Sequence, residues 1–277
     1  MATPSSLRQP TVIPLGAKPA PTRMPGVVRE PATVPGEALR QRFPDASPEA
    51  IGVIQGILAD MAPGTRPVAD WLGYGQDVQR QATGLLSERL SLLESAPLRT
   101  MPRHLARLHV LLAELLEAME PGVLLGRRQP RKAWERAESE VRRLAAELSA
   151  GLPGLLATET ALEALSHRAG CARTTVGAWA LAADLLLAQL PEEQRSVLAG
   201  RQSALLSAEG LLAGFLAHIE LDRLRVRNLA GQVQDGVLLR LPDLINHLAT
   251  LSARPDETEH YLLREKLSSL ISHFERK

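Results

Sequence analysis

The stretch that decides the fold is residues 201–242, which read RQSALLSAEGLLAGFLAHIELDRLRVRNLAGQVQDGVLLRLP. Apolar residues recur in it every seven positions, at Leu205, Leu212, Ile219, Val226 and Val233. The positions three residues further on form a weaker series: Ala208, Phe215, Asp222, Leu229 and Gly236. A seven-residue repeat predicts a long helix with one buried seam that packs against another helix. Because Pro242 has no backbone N–H to donate, we expect this helix to end there and a short helix to follow it to about Leu251.

The composition extends this interpretation to the whole chain. Aromatic residues make up only 3% of the 277 residues, against 45% hydrophobic residues. A core of leucine, alanine and valine with few aromatic side chains favours helices over strands. The sequence therefore predicts an all-α protein, an elongated antiparallel helical bundle with coiled-coil segments and a disordered N-terminal tail.

Charge and cysteine content exclude several classes of protein. A net charge of +1 argues against an electrostatic nucleic-acid-binding protein. A lone cysteine, Cys171, excludes an internal disulfide framework and suits a reducing compartment. Neither a signal peptide nor a run of about 18 uncharged apolar residues is visible. We therefore expect a cytoplasmic protein without a transmembrane segment.

Prolines divide the chain into two regions. Ten of the twenty prolines lie within residues 1–48, where apolar periodicity is absent. We therefore expect residues 1–47 to form a disordered tail and residues 48–277 to form one helical domain. A proline-rich ligand for an adaptor domain is the alternative role for the tail.

Within the helical domain, glycine and proline predict the ends of helices. We expect one helix to run from Asp70 to Leu86 and another to open at Thr100-Met-Pro102. We expect Gly151-Leu-Pro-Gly154 to interrupt or kink the helix that follows Trp134, and a further helix to span Thr174 to Leu190. The long helix should start after Pro191.

Three pairs of residues that contain histidine are candidate metal ligands. His104 and His109 are five residues apart, which places them on different sides of a helix. Two other pairs have the spacing of adjacent helical turns, His218 with Asp222 and Asp243 with His247. Each pair offers only two ligands, and surface hydrogen bonding is the alternative. The sequence therefore predicts no metal and no cofactor.

Cys171 is the one candidate nucleophile. Its neighbours in sequence, Arg168 and Arg173, would favour the thiolate if they lay close to the sulfur. No second cysteine and no catalytic histidine arrangement is legible beside it, and packing in a helix connection is the alternative. We therefore predict that the protein is not an enzyme.

Two polar features remain as candidate sites. Arg127, Arg128, Arg131 and Lys132 form a basic cluster that could bind an anion or an acidic partner, although a solvated loop explains it too. Asp222 occupies a seam position where an apolar residue is expected. There it either specifies helix register or partner number, or lies at the edge of a locally shifted seam.

Three segments resemble the toxic-anion (tellurite) resistance family, TelA. The first is residues 71–80, WLGYGQDVQR, in which a glycine turn opens a helix. The second is a leucine stripe broken by a glycine, through Leu144, Leu148, Gly151, Leu155 and Leu162. The third is the spacing of Arg201, Leu205, Ile219, Leu229 and Val233 ahead of Pro242. The chain is similar to a shorter, divergent member.

This resemblance implies a physiology more than a reaction. Family members are associated with resistance to tellurite and related stresses. Together with the apolar seams, it leads us to expect a non-enzymatic cytoplasmic stress protein that acts through protein–protein contacts, with self-association open. The alternatives are an oxyanion-binding protein that uses the basic cluster, or a helical scaffold on a membrane or envelope.

Overall fold

The computed structural model describes residues 34–61, 66–119, 130–250 and 256–275. All regular structure in these ranges is helical, which confirms the all-α prediction. The helices are α1 (Gly36–Arg42), α2 (Pro48–Asp60), α3 (Val68–Leu72), α4 (Gln76–Leu93), α5 (Ala96–Glu117), α6 (Pro130–Leu187), α7 (Glu192–Gly231), α8 (Leu241–Thr250) and α9 (Glu257–Glu275). A π-helical segment, Gln232–Arg240, joins α7 to α8.

Helices α6 and α7 form a long antiparallel hairpin at the centre of the fold. Near its closed end Gln202 donates to the carbonyl of Ala180 at 3.2 Å. Near its open end Arg227 pairs with Glu159 at 2.7 Å. Residue numbers fall along α6 as they rise along α7, so the two helices run antiparallel.

The predicted seam lies along this hairpin. All five residues of the seven-residue series are buried: Leu205, Leu212, Ile219, Val226 and Val233. Burying a leucine, isoleucine or valine side chain stabilises the fold by about 1.5–3 kcal/mol. The series therefore accounts for much of the attachment of α7 to its neighbours.

Helix α6 is one continuous helix of 58 residues that contains Pro153, so no interruption occurs at Gly151–Gly154 or before Thr174. Gly151 and Gly154 serve close packing against α5. A Cβ atom at Gly151 would lie 2.6 Å from Met101 Sδ, and one at Gly154 would lie 2.7 Å from Pro97 Cγ. The glycines are therefore contact points, and burial against α5 overrides their low helix propensity.

Two predicted helix boundaries near the N-terminal end also move. The helix predicted over Asp70–Leu86 is divided into α3 and α4 by a turn at Gly75, whose φ is 67°. The helix predicted to open at Thr100 begins at Ala96, with Pro97 in its first turn, where a missing N–H costs nothing. Pro102 then lies inside α5.

The helix does not end at Pro242, contrary to the prediction. The π-helical segment precedes the proline, and the helical course continues to Thr250. The buried series with seven-residue spacing reaches Val233. Its next buried residue is Leu241, eight residues further on, so the series shifts by one residue across this segment. One extra residue in the wider turns lets the helix pass the proline while its apolar side stays buried.

The predicted boundary of the tail at residue 47 lies too far along the chain. Residues 34–47 are described, and α1 buries Leu39 within them. Arg42 pairs with Asp184 of α6 at 2.9 Å. Burial of Leu39 against the bundle orders this part of the predicted tail, while residues 1–33 lie outside the described ranges.

Gly236 in the π-helical segment sets how closely α9 can approach. A Cβ atom there would lie 2.2 Å from Phe274 Cε1. We expect Gly236→Ala to lower the free energy of unfolding by about 1–3 kcal/mol, because the ring must move away. Gly231→Ala, where nothing lies within 4 Å, is the matched control and should stabilise. Urea unfolding compares the two, and a stabilising Gly236→Ala would contradict the assigned contact.

Candidate functional site

The feature that stands out as a site is the uncovered side of α7. We call it the outer face and define it by seven exposed residues at helical spacing: Ser203, Leu206, Gly210, Gly214, Ala217, Leu221 and Leu224. None carries a charge. They lie opposite the buried seam, because residues three and four apart share one side of a helix.

The outer face combines protruding and recessed residues. Leu206, Leu221 and Leu224 are each just over half exposed. Between them, Gly210 and Gly214 have nothing within 4 Å of where a Cβ atom would lie. The face is therefore a shallow groove with leucines at its ends, a shape that allows another helix to approach closely.

Two acidic residues beside the outer face are paired within the chain, whereas Arg225, next to Leu224, is 81% exposed. Glu209 lies 3.5 Å from Arg173, and Glu220 lies 2.9 Å from Arg223. Both pairs tie α7 to its own hairpin or to itself. The face is therefore bordered by two paired acids and by one arginine that lies largely in solvent.

Helix α4 packs on the seam side of α7, opposite the outer face, and exposes two leucines of its own. Gln79 of α4 donates to the carbonyl of Ala204 at 3.0 Å, so the two helices are adjacent at the start of the outer face. Leu86 and Leu90, one turn apart further along α4, are 42% and 58% exposed.

One long apolar helix bears on the expectation that no segment spans a membrane. Within the described part of the chain, residues 192–250 are long and apolar enough to do so, by length and composition alone. Only 22% of the most apolar window of that helix is buried in the structure. The result therefore reflects how much uncharged side chain α7 exposes.

Asp222 lies within the seam, only 3% exposed, and not at a shifted edge. Its Oδ2 accepts from Arg89 Nε of α4 at 2.7 Å. The same guanidinium lies 6.0 Å from the ring centre of Phe215. Within the described chain Asp222 thus sets the position of α4 on α7, since a buried carboxylate needs a charged partner.

A polar junction joins residues 71–80 to the start of α7. Arg201 of α7 donates through Nε to the carbonyl of Tyr74 at 2.9 Å and through Nη2 to Gln79. Trp71 Nε1 donates to Gln194 at 3.1 Å. Two segments that are far apart in sequence are therefore in direct contact.

Tyr74 anchors the same junction to α6. Its hydroxyl donates to the carbonyl of Trp179 at 2.7 Å, and the two rings meet edge to face. Burial raises the pKa of the Tyr74 phenol above its usual value. The hydroxyl therefore stays protonated and keeps donating, a structural role.

The structure describes only half of the predicted basic cluster. Arg127 and Arg128 lie outside the described residues. Arg131 and Lys132 are exposed in the first turn of α6, and Arg131 Nε lies 3.1 Å from Glu135. The described half is thus partly neutralised, and anion binding by the cluster stays a prediction.

A lysine occupies the space between the best-placed pair of predicted metal ligands. Lys266 Nζ lies 2.8 Å from Asp243 Oδ2 and 3.0 Å from His247 Nδ1. The hydrogen bond and charge of the ammonium lower the pKa of the Asp243 carboxyl. A side-chain cation thus sits where these two groups would share a metal ion.

The remaining histidines are dispersed. His218 is exposed, whereas Asp222 faces Arg89, so that pair does not converge. His104 and His109 contact different acids, Glu147 and Glu275. No cluster of three or more candidate metal ligands occurs among the described residues.

Cys171 is exposed on α6, and the structure brings one group to it that sequence reasoning missed. His167 Nδ1 lies 3.9 Å from the sulfur, and the spacing of four residues was the available signal. Arg168 and Arg173 instead pair with Glu88 and Glu209. Both guanidinium groups are therefore engaged with carboxylates.

Sequence reasoning also missed the outer face. The signal was present as the spacing Gly210-x-x-x-Gly214 between leucines. An uncharged stripe of this kind does not show whether another helix covers it. Comparison of the chain with protein-family models, curated proteins and solved structures found no match.

Proposed function

We propose that the protein acts without catalysing a reaction, by binding a partner protein through the outer face of α7, in resistance to tellurite and related toxic anions. The observation that carries the proposal is the outer face itself. It exposes leucines around a glycine groove, and exposed contiguous apolar surface on a folded protein marks an interaction site.

The physiology in this proposal rests on the resemblance to the TelA family. Support comes from the junction of Arg201 with Tyr74 and Gln79, because it joins two of the three resembling segments. The junction lies on the side of α7 opposite the outer face, and it attaches the start of that stretch of α7 to α4.

Survival of a deletion strain across a tellurite series tests both parts. We expect the wild-type gene to restore growth and Leu206→Ser/Leu221→Ser to fail, because the double variant removes one large side chain from each end of the groove. Leu156→Ser/Leu239→Ser is the matched control. It replaces two leucines exposed elsewhere and should restore growth.

Each part can fail separately. Equal survival with the outer-face and control variants would overturn the role of that face. An insensitive deletion strain would overturn the tellurite physiology. Reduction of tellurite by the purified protein with a common electron donor would overturn the non-enzymatic part.

A further inference from the structure

We infer that the groove between α8 and α9 binds a small zwitterion with an apolar body, of the class of a dipeptide of apolar residues. The inference is independent of the outer face, which lies on α7. It stands on the shape of the groove, on the position that the π-helical segment gives Arg240, and on the charges that line the groove.

The groove is the space between two antiparallel helices. Arg240 Nη1 lies 3.4 Å from Ser269 Oγ, and Lys266 Nζ lies 2.8 Å from Asp243 Oδ2. Residue numbers therefore rise along the end of the π-helical segment and α8 as they fall along α9. The groove has a volume of about 530 Å³, which is within the range of sites for small molecules.

Apolar side chains line the groove between its charged groups. Leu244 of α8 and Leu270 of α9 line it from opposite helices, and each is only 1% exposed. Leu262, one turn before Lys266 on α9, is 42% exposed. An apolar ligand body in the groove would remove this surface from water, which is the favourable hydrophobic term of binding.

The π-helical segment places Arg240 at the groove. Seven-residue spacing from Leu205 to Val233 reaches Arg240 next, so a regular helix would turn this arginine toward the buried seam. Leu241, which is 0% exposed, takes the buried position instead, and Arg240 is exposed at the groove. One extra residue rotates the helix that follows by about 100°. Such π-helical turns recur at functional sites in other proteins.

Two charged groups at the groove lack a counterion. Among the described residues, Arg240 pairs with no carboxylate, and Glu265 pairs with no cationic group. Lys266 differs from them, because its ammonium group already contacts Asp243 and His247. The groove thus offers one positive and one negative group to a ligand, with leucines between them.

The spacing of the two charged groups fits a dipeptide. Ser269, which contacts Arg240, lies one turn beyond Glu265 on α9, about 6 Å further along the helix. Two extended residues span about 7 Å, whereas one residue spans about half of that. The ammonium group of a dipeptide therefore reaches Glu265 while its carboxylate reaches Arg240, and arginine binds a carboxylate through two parallel hydrogen bonds.

Titration calorimetry of the full chain with leucyl-leucine tests the class of ligand. We expect saturable binding with a Kd of about 0.1–1 mM, as for other ligands of this size. N-acetyl-leucyl-leucine lacks the ammonium group and leucyl-leucine amide lacks the carboxylate, so each should bind at least about tenfold more weakly. Equal binding of all three would overturn the zwitterion, and no saturable heat up to about 10 mM leucyl-leucine would overturn the site.

Two substitutions test the residues assigned to the ligand. Arg240→Gln and Glu265→Gln should each weaken binding of leucyl-leucine at least about tenfold. Arg103→Gln, at an exposed arginine of α5, is the matched control and should leave the affinity unchanged. Circular dichroism confirms that all three variants fold. Wild-type affinity in both groove variants would place the ligand elsewhere and overturn the inference.

Discussion

Arg89→Met is expected to lower the free energy of unfolding by about 3 kcal/mol, because it leaves the Asp222 carboxylate buried without its main partner. Asp222 is only 3% exposed, and its other cationic neighbour, Arg225, is 3.7 Å away and largely in solvent. Neither water nor Arg225 can replace the lost hydrogen bond. Urea unfolding followed by circular dichroism measures the loss.

The same substitution at an exposed pair of the same helix is the control. Arg80 pairs with Asp77 in solvent, so Arg80→Met should change stability by less than about 0.5 kcal/mol. The double variant Arg89→Met/Asp222→Leu should return to within about 1 kcal/mol of wild type, since it leaves no buried charge. Equal losses for Arg89→Met and Arg80→Met would refute the role assigned to Asp222.

Gly75→Ala is expected to lower the free energy of unfolding by about 2 kcal/mol, for two reasons that add. Gly75 has a φ of 67°, a left-handed conformation that disfavours alanine by about 1–2 kcal/mol. The new Cβ atom would also lie 2.9 Å from Leu205 Cδ2, in the buried seam. The midpoint of urea unfolding should fall.

Gly84→Ala on the same α4 should act in the opposite direction. Nothing lies within 4 Å of a Cβ atom there, and the position is in the helix interior. Alanine should therefore stabilise the protein by about 0.5–1 kcal/mol. If both variants shifted the midpoint the same way, the turn at Gly75 would not be what separates α3 from α4.

The sequence predicted the helices and the buried seam well because both depend on local pattern. A seven-residue apolar repeat requires that one side of a helix be buried, whatever covers it, and all five residues of the series are buried. The start of α7 after Pro191 was also predicted correctly, because proline before a helix is a local signal.

Helix boundaries were predicted poorly wherever packing outweighed propensity. Gly151, Pro153 and Gly154 all disfavour a helix interior, yet α6 runs through them because α5 packs against the two glycines. Pro242 was predicted to end the long helix because proline disfavours a helix interior, yet the helical course continues to Thr250. A single sequence shows the local cost of such residues but not the contacts that offset it.

For the candidate sites, too, the local pattern could be predicted from the sequence and the distant partner could not. Asp222 was singled out because it breaks an apolar series, but its partner Arg89 lies 133 residues earlier. The basic cluster is half outside the described residues, and its role stays a prediction. The outer face could not be assigned from the sequence, because an uncharged stripe does not show whether another helix covers it.

The sequence by itself determined that this chain is helical, that α7 has one buried side, and that Asp222 interrupts it. Those properties follow from the spacing of residues along one helix. Only the tertiary structure decided that α4 and α6 cover that side of α7 and leave Leu206, Gly210, Gly214 and Leu221 in solvent. Which side of a helix stays uncovered depends on how distant segments pack, and the spacing of residues along the helix does not encode it.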